Sequence, residues 1–271
     1  MIIVKKLTSG LLSLKYHFGM KVTASIMVLA LDADGLMELN GENVFQTNLN
    51  NNIMDKSEFD ILSKDLRELA TMIPLHWGGV QNNYVDDKIN MFQINSFNEL
   101  EKEISSLDEV KKNYLRRRWY LWKCSQCDEF LFYKNDNTEK NSNPYDKEYD
   151  ILIDGKYKFD IKGTVIPRSF RNCVEESIID PEKMIKFFYE KQSTGRRYDI
   201  QNRLFIIHHS FVSEEREFYL RCAWQSKERI YKTFCDNISS IKLTNYQNVV
   251  AGIIFILERE KGKVECKIYG M

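Results

Sequence analysis

Hydrophobic and charged positions alternate most cleanly between Glu148 and Thr164. Tyr149, Ile151 and Ile153, then Tyr157, Phe159 and Ile161, fall on one side of two short strands, and charged residues fall on the other. Asp154-Gly155 lies between them and tolerates positive φ, so the segment predicts a hairpin. A strict two-residue loop would mix charges and aromatics on one surface, which a half-buried hairpin disfavours. The expected connection is therefore Ile153-Asp154-Gly155, with Gly155 left-handed in a bulge. The outer face then carries Glu148, Asp150, Lys158, Asp160 and Lys162. Thr164 to Ile166 continue the second strand, which Pro167 ends.

Elsewhere the period is that of a helix. Phe59, Leu62, Leu66, Leu69 and Ile73 predict one from Lys56, closed by Pro74. Ser96 with Glu99 forms a capping box for a second, read through to Val110. Tyr114 to Tyr133 reads as a long, mostly buried helix, Asp180-Pro181-Glu182 starts another, and Ser213 to Cys235 reads as one more. Leu204 to Ile207 is continuously apolar, as expected of a strand buried on both faces, and Val249 to Leu257 and Lys263 to Tyr269 are the final strands. Val22 to Leu31 is the most strand-like run near the start, Asp32 to Gly35 a turn, and Asn48 to Asn52 and Asn135 to Pro144 are loops. The expected fold class is α/β (α+β), a mixed sheet flanked by helices. A change in character near residue 105 places the expected domain boundary there: 1–105 as an N-terminal α/β region for recognition or dimerisation, 106–271 as a second domain.

Composition narrows the partners. The 39 basic and 39 acidic side chains cancel, so nucleic acid would be held by local patches rather than by a global field. Candidate patches are Arg116, Arg117 and Arg118, ahead of the tryptophans, and Arg196 and Arg197 beside Gly195. The six cysteines are scattered among apolar neighbours, which suits buried thiols in a reducing cytoplasm. Cys124-x-x-Cys127 has ligand spacing but no second pair to complete a zinc set. Apolar runs fall short of the roughly 20 residues of a membrane span, and Lys15, His17 and Lys21 interrupt any signal-peptide core. A cytoplasmic protein without membrane partners is expected.

The outer face of the hairpin carries the chemistry. Asp160 and Lys162 are two apart and point the same way, and Asp150 arrives from the neighbouring strand. Carboxylate oxygens so placed hold a hard cation such as Mg²⁺, leaving positions for water and a phosphate oxygen, and a lysine beside them stabilises charge at phosphorus. Gly163 comes next, where a backbone can approach a phosphate. His76-Trp77-Gly78-Gly79 and His208-His209 are further polar groups that either touch a ligand or finish a turn and a strand.

On Asp150, Asp160 and Lys162 the chain resembles the PD-(D/E)xK, or restriction-endonuclease-like, nuclease superfamily. Tyr149 stands where that motif has Pro, and Asp160 is the less usual acid at its position. The resemblance covers the middle of the chain and the part C-terminal to it. It implies catalysis by Asp150, Asp160 and Lys162, with Glu129 on the preceding helix as a further catalytic acid, and metal held by Asp150, Asp160 and Glu148. The implied cofactor is Mg²⁺, with Mn²⁺ as a substitute. The implied activity is an endonuclease of the type II restriction or related defence kind, acting on double-stranded DNA, as a homodimer where two strands are cut. A non-catalytic DNA- or protein-binding module on the same fold and an RNA-cleaving effector stand as alternatives.

Overall fold

The computed structural model describes residues 28–32, 35–39, 53–73, 83–143, 146, 148–191 and 200–271. The chain falls into two compact units, 1–51 and 52–271. In the first, β1 (Val28–Asp32) and β2 (Gly35–Leu39) form an antiparallel hairpin in which Asp32 pairs with Gly35.

The second unit begins with α1 (Lys56–Leu69), whose Asp55 and Glu58 cap each other's backbone. Then come α2 (Asn83–Lys88), α3 (Phe97–Glu103) and the 25-residue α4 (Glu109–Tyr133). The helix read from Ser96 to Val110 is two: Ser96 caps α3, which ends at Glu103, and Asp108 opens α4 by accepting from the Lys111 N–H. Leu62, Leu66, Leu69, Leu100 and Ile104 share one core with Leu115, Trp119 and Tyr120, so the residues on both sides of position 105 pack together.

A meander comes after α4: β3 (Thr138–Lys140), β4 (Ile151–Ile153) and β5 (Tyr157–Val165). β3 lies in the stretch expected to be loop, because three polar residues at a sheet edge show no alternation. Helices α5 (Val174–Ile179) and α6 (Glu182–Lys191) lead to β6 (Arg203–Ser210), which runs parallel to β5. Next come α7 (Arg216–Arg221) and α8 (Trp224–Asp236), two helices where one was expected, interrupted at Cys222-Ala223. Strands β7 (Thr244–Tyr246), β8 (Val249–Glu260) and β9 (Lys263–Ile268) finish the chain. The sheet order is β3-β4-β5-β6-β8-β7, with β9 also on β8.

Alternation along the central strands feeds two cores. Ile161, Leu204, Ile206, Ile254 and Ile256 face α4 and α8, whereas Phe205, Ile207, Ile253, Phe255 and Leu257 face α5 and α6. Every residue of β6 is buried, as its apolar run predicts. The result is a mixed sheet with helices on both faces. No helix of the described residues is long and apolar enough to cross a membrane.

Candidate functional site

The hairpin turn differs in register from the expected one but keeps its faces. Asp154 and Gly155 both have positive φ, 53° and 63°, and the Lys156 N–H donates to the Ile153 carbonyl at 3.0 Å. Ile153 pairs with Tyr157 and Ile151 with Phe159, so the loop is Asp154-Gly155-Lys156 rather than Ile153-Asp154-Gly155. A shift of two residues preserves which side chains share a face, because the strand period is two. Ile151, Ile153, Phe159 and Ile161 are buried in the α4 core, as the pattern predicts.

At the other end of the hairpin β4 stops while β5 continues. The last pairing is replaced by a side chain: Asp150 Oδ2 accepts the Ile161 N–H at 2.7 Å. Past that point, no strand among the described residues covers the β4 side of β5, and Gly163 is exposed there. Asp150 thus sits where the two strands separate, with Asp160 beside it. Burial, followed by the charge of Asp160, raises the pKa of Asp150.

Asp160 is buried, and its two oxygens meet different cations. Oδ1 holds Lys162 Nζ, and Oδ2 lies 3.4 Å from Arg203 Nε. Arg203 was expected merely to begin a strand, yet it stands opposite Asp160 in the parallel pairing of β5 and β6. The Lys162 side chain keeps 34% exposure, and its ammonium also donates to the Ile161 carbonyl at 3.3 Å.

Glu129 reaches the cluster from α4. Its carboxylate lies 3.7 Å from Lys140 Nζ. Burial outweighs that attraction and, with the charge of Asp150, pushes the Glu129 pKa up to about 7. Folding therefore favours the protonated acid. Stability from this group is present below the unfolded value of 4.5 and is lost as pH rises toward 7, a difference on the order of 3 kcal/mol. In the metal-free protein, urea denaturation should show stability falling from pH 5 to 8, and Glu129→Gln should flatten that slope.

Four sequence candidates thus converge: Asp150, Asp160, Lys162 and Glu129. The fifth candidate, Glu148, is 73% exposed, and its carboxylate lies 3.9 Å from Lys158 Nζ. Among the described residues no group of three His, Cys, Asp or Glu side chains is arranged to hold a metal ion. Two carboxylates meet here, and Glu129 stands behind them on the helix.

No protein-family model matches the chain, and no curated protein or solved structure matches it either. The site is therefore read from its own chemistry.

The arginine run does not form a stripe. Arg116 is clamped by Glu101 through two bonds of 2.6 Å and by Glu109 at 2.7 Å, which ties α3 to α4. Arg117 lies over the Phe218 ring at 4.9 Å, and Arg118 pairs with Asp86 and with the Tyr114 hydroxyl. Arg116 and Arg118 are thus both ion-paired within the chain. Arg116→Ala should cost about 2 kcal/mol in urea denaturation without weakening DNA binding. Arg196, Arg197 and His76-Trp77-Gly78-Gly79 lie outside the described residues.

The two histidines point to opposite faces of β6. His208 Nδ1 lies 3.0 Å from the Thr164 carbonyl, and His209 Nδ1 lies 3.0 Å from Glu217 Oε1. Glu217 is also held by Arg171 at 2.8 Å, so His209 belongs to a buried ion network. The cysteines are free thiols, with Cys124 and Cys127 both buried in α4.

Sequence reasoning also missed Asp128, next to Glu129 but turned inward. Its Oδ1 accepts from Lys227 Nζ at 2.8 Å and from the Tyr231 hydroxyl at 2.9 Å, all three being buried. The signal was present in α8: Lys227 interrupts an otherwise apolar stripe of Trp224, Tyr231, Phe234 and Cys235.

Proposed function

We propose that the chain is a metal-dependent nuclease of the PD-(D/E)xK kind, hydrolysing phosphodiester bonds of DNA. The observation that carries this reading is the meeting of Asp150 and Asp160, from adjacent strands, beside the partly exposed Lys162 at the point where β4 leaves β5. The order of long helix, meander, helical crossover and parallel strand is compatible with the fold the resemblance implies.

The donor set fits Mg²⁺ as a partial site. Mg²⁺ keeps several waters and commonly takes one or two carboxylates plus a substrate phosphate, so a protein cage of three acids is not required. Burial first, and a neighbouring carboxylate second, raise the Asp150 and Glu129 pKa values, and a bound divalent cation would offset both. When bound, such a cation supplies Lewis acidity and a more acidic water.

The chain's own groups supply the rest. Asp150 is oriented by the Ile161 N–H, and Asp160 by the Arg203 guanidinium opposite it. In the metal-free protein the Lys162 ammonium sits on Asp160; with a phosphate present it is placed to stabilise charge on a non-bridging oxygen. Glu129, with its pKa near 7, is suited to taking a proton near neutral pH.

The finer reading, an endonuclease of restriction or defence type on double-stranded DNA, comes from the resemblance. Purified protein incubated with plasmid and Mg²⁺ tests it, with an RNA substrate in parallel. A second reading, a binding module without chemistry, is favoured by one observation: both Asp160 oxygens already face internal cations. DNA binding with no cutting in Mg²⁺ or Mn²⁺ would establish that reading instead.

A further inference from the structure

We propose that the cleft between α1 and α4 binds a free α-amino acid with an apolar side chain, its carboxylate on Lys123 and its ammonium on Asp65. The site does not depend on the hydrolase reading.

The cleft follows from how the two helices meet. The Tyr133 hydroxyl donates to the Met54 carbonyl at 2.9 Å, and Phe59 stacks on Phe130 at 4.7 Å, so α1 runs back along α4. Glu58, Ile61, Leu62 and Asp65 recur at helical spacing and line the gap from α1, whereas Lys123, Gln126 and Tyr133 line it from α4. The space is about 280 Å³. That is just under the ~300–1,000 Å³ of pockets for drug-sized ligands and suits a smaller molecule.

Lys123 is the reason to expect a ligand. The residue keeps 4% exposure, and among the described residues its ammonium has no hydrogen bond or ion pair. It rests over the Trp122 ring at 4.3 Å, with the Trp119 ring at 5.8 Å, contacts that attract its charge but accept none of its N–H donors. Glu58 and Glu99 act on it only from a distance. Each is turned to a backbone N–H, that of Asp55 at 3.1 Å and that of Asn95 at 2.9 Å. Burial therefore dominates and holds the Lys123 pKa below the ordinary lysine value. A donor so placed is costly to leave unmatched, and an acceptor entering the cleft removes that cost.

Asp65 is the matching group on the other wall. It is partly buried, and among the described residues it has no hydrogen-bond or ion-pair partner either. Lys123 and Asp65 line one space without pairing with each other. The other charges of the lining are engaged, Glu58 by the Asp55 N–H and Lys140 by Glu129 at 3.7 Å. One ammonium and one carboxylate are thus left open on opposite walls. A lone anion would satisfy Lys123 and be repelled by Asp65, whereas a zwitterion satisfies both. Ile61 is 64% exposed beside Met54 and Leu62, which gives the ligand's side chain an apolar surface to cover.

The test uses the full chain in EDTA with free L-leucine, L-methionine and L-phenylalanine, read by titration calorimetry and by thermal shift. The tightest of the three is then compared with its N-acetyl form, which lacks the ammonium, and its amide, which lacks the carboxylate. Both blocked forms should bind about tenfold more weakly or not at all. Lys123→Met and Asp65→Asn should each lower the affinity by about tenfold or more. Asp65 is partly exposed, so Asp65→Asn should fold normally and keeps the idea testable if Lys123→Met does not. No binding to wild type at millimolar concentration overturns the proposal, and so does affinity unchanged in the two variants. An N-acetyl form that binds as tightly as the free amino acid would show that the cleft takes an anion alone, and overturns it too. DNA cleavage is not part of the readout. A chain that binds the amino acid in this way and never cuts DNA would overturn the hydrolase reading alone.

Discussion

Replacing Asp150 by Asn is expected to abolish Mg²⁺-dependent phosphodiester cleavage, by at least about a thousandfold, while leaving the fold intact. The amide oxygen can still accept the Ile161 N–H, which Asp150 Oδ2 takes at 2.7 Å, so the end of the hairpin keeps its closure. What is lost is negative charge at the meeting point of two carboxylates. Asp160 is a poorer first choice, since removing it also strips Arg203 of a carboxylate 3.4 Å away and mixes a stability loss into the assay. Lys162→Ala should reduce cleavage by about a hundred- to a thousandfold, with a smaller stability loss, because Lys162 is one-third exposed and Asp160 keeps Arg203 at 3.4 Å. Supercoiled plasmid and a labelled RNA, each with Mg²⁺ or Mn²⁺, report the rates. A wild-type protein inert on both substrates sinks the hydrolytic reading, and so does a variant Asp150→Asn that cuts as well as wild type.

The largest stability effect should come from Asp128→Ala. Lys227 has no exposure, and Asp128 and Trp224 are its close neighbours of complementary character: a carboxylate at 2.8 Å and a ring face at 5.0 Å. Removing the carboxylate leaves an ammonium buried between α4, α8 and the sheet, and breaking one arm of such a pair typically costs about 3–5 kcal/mol. That is a large share of the ~5–15 kcal/mol by which domains are stable. The double variant Asp128→Ala with Lys227→Met should recover much of the loss, since an apolar pair of similar volume needs no partner. Urea denaturation of the three proteins measures it. A single variant within about 1 kcal/mol of wild type would show that the ammonium finds other solvation.

The helix register was legible wherever one face stayed apolar over several turns. Leu62, Leu66 and Leu69 are buried in α1 as their spacing predicts, and Met184 and Phe188 are buried in α6. Breaks within apolar stretches were not legible. Residues 104–108 and Cys222-Ala223 separate helices that periodicity alone joined, because tertiary packing, not propensity, decides where two short helices part. Thr138–Lys140 escaped detection for a related reason: a three-residue edge strand is held by the ladder to β4 and needs no hydrophobic pattern of its own.

From the sequence alone came the identity of the hairpin faces and the candidates Asp150, Asp160 and Lys162, since alternation with a period of two holds for any register that keeps parity. The tertiary structure alone decided what surrounds them. Arg203 meets Asp160 through a parallel pairing more than forty residues away in the chain, Glu129 approaches through the packing of α4, and Glu148 meets Lys158 at the surface. It also brought Arg221 to Gly163 and Lys227 to Asp128. Such contacts depend on how layers stack, and a local pattern of polar and apolar residues encodes which face a side chain occupies, not which charge from another layer will meet it there.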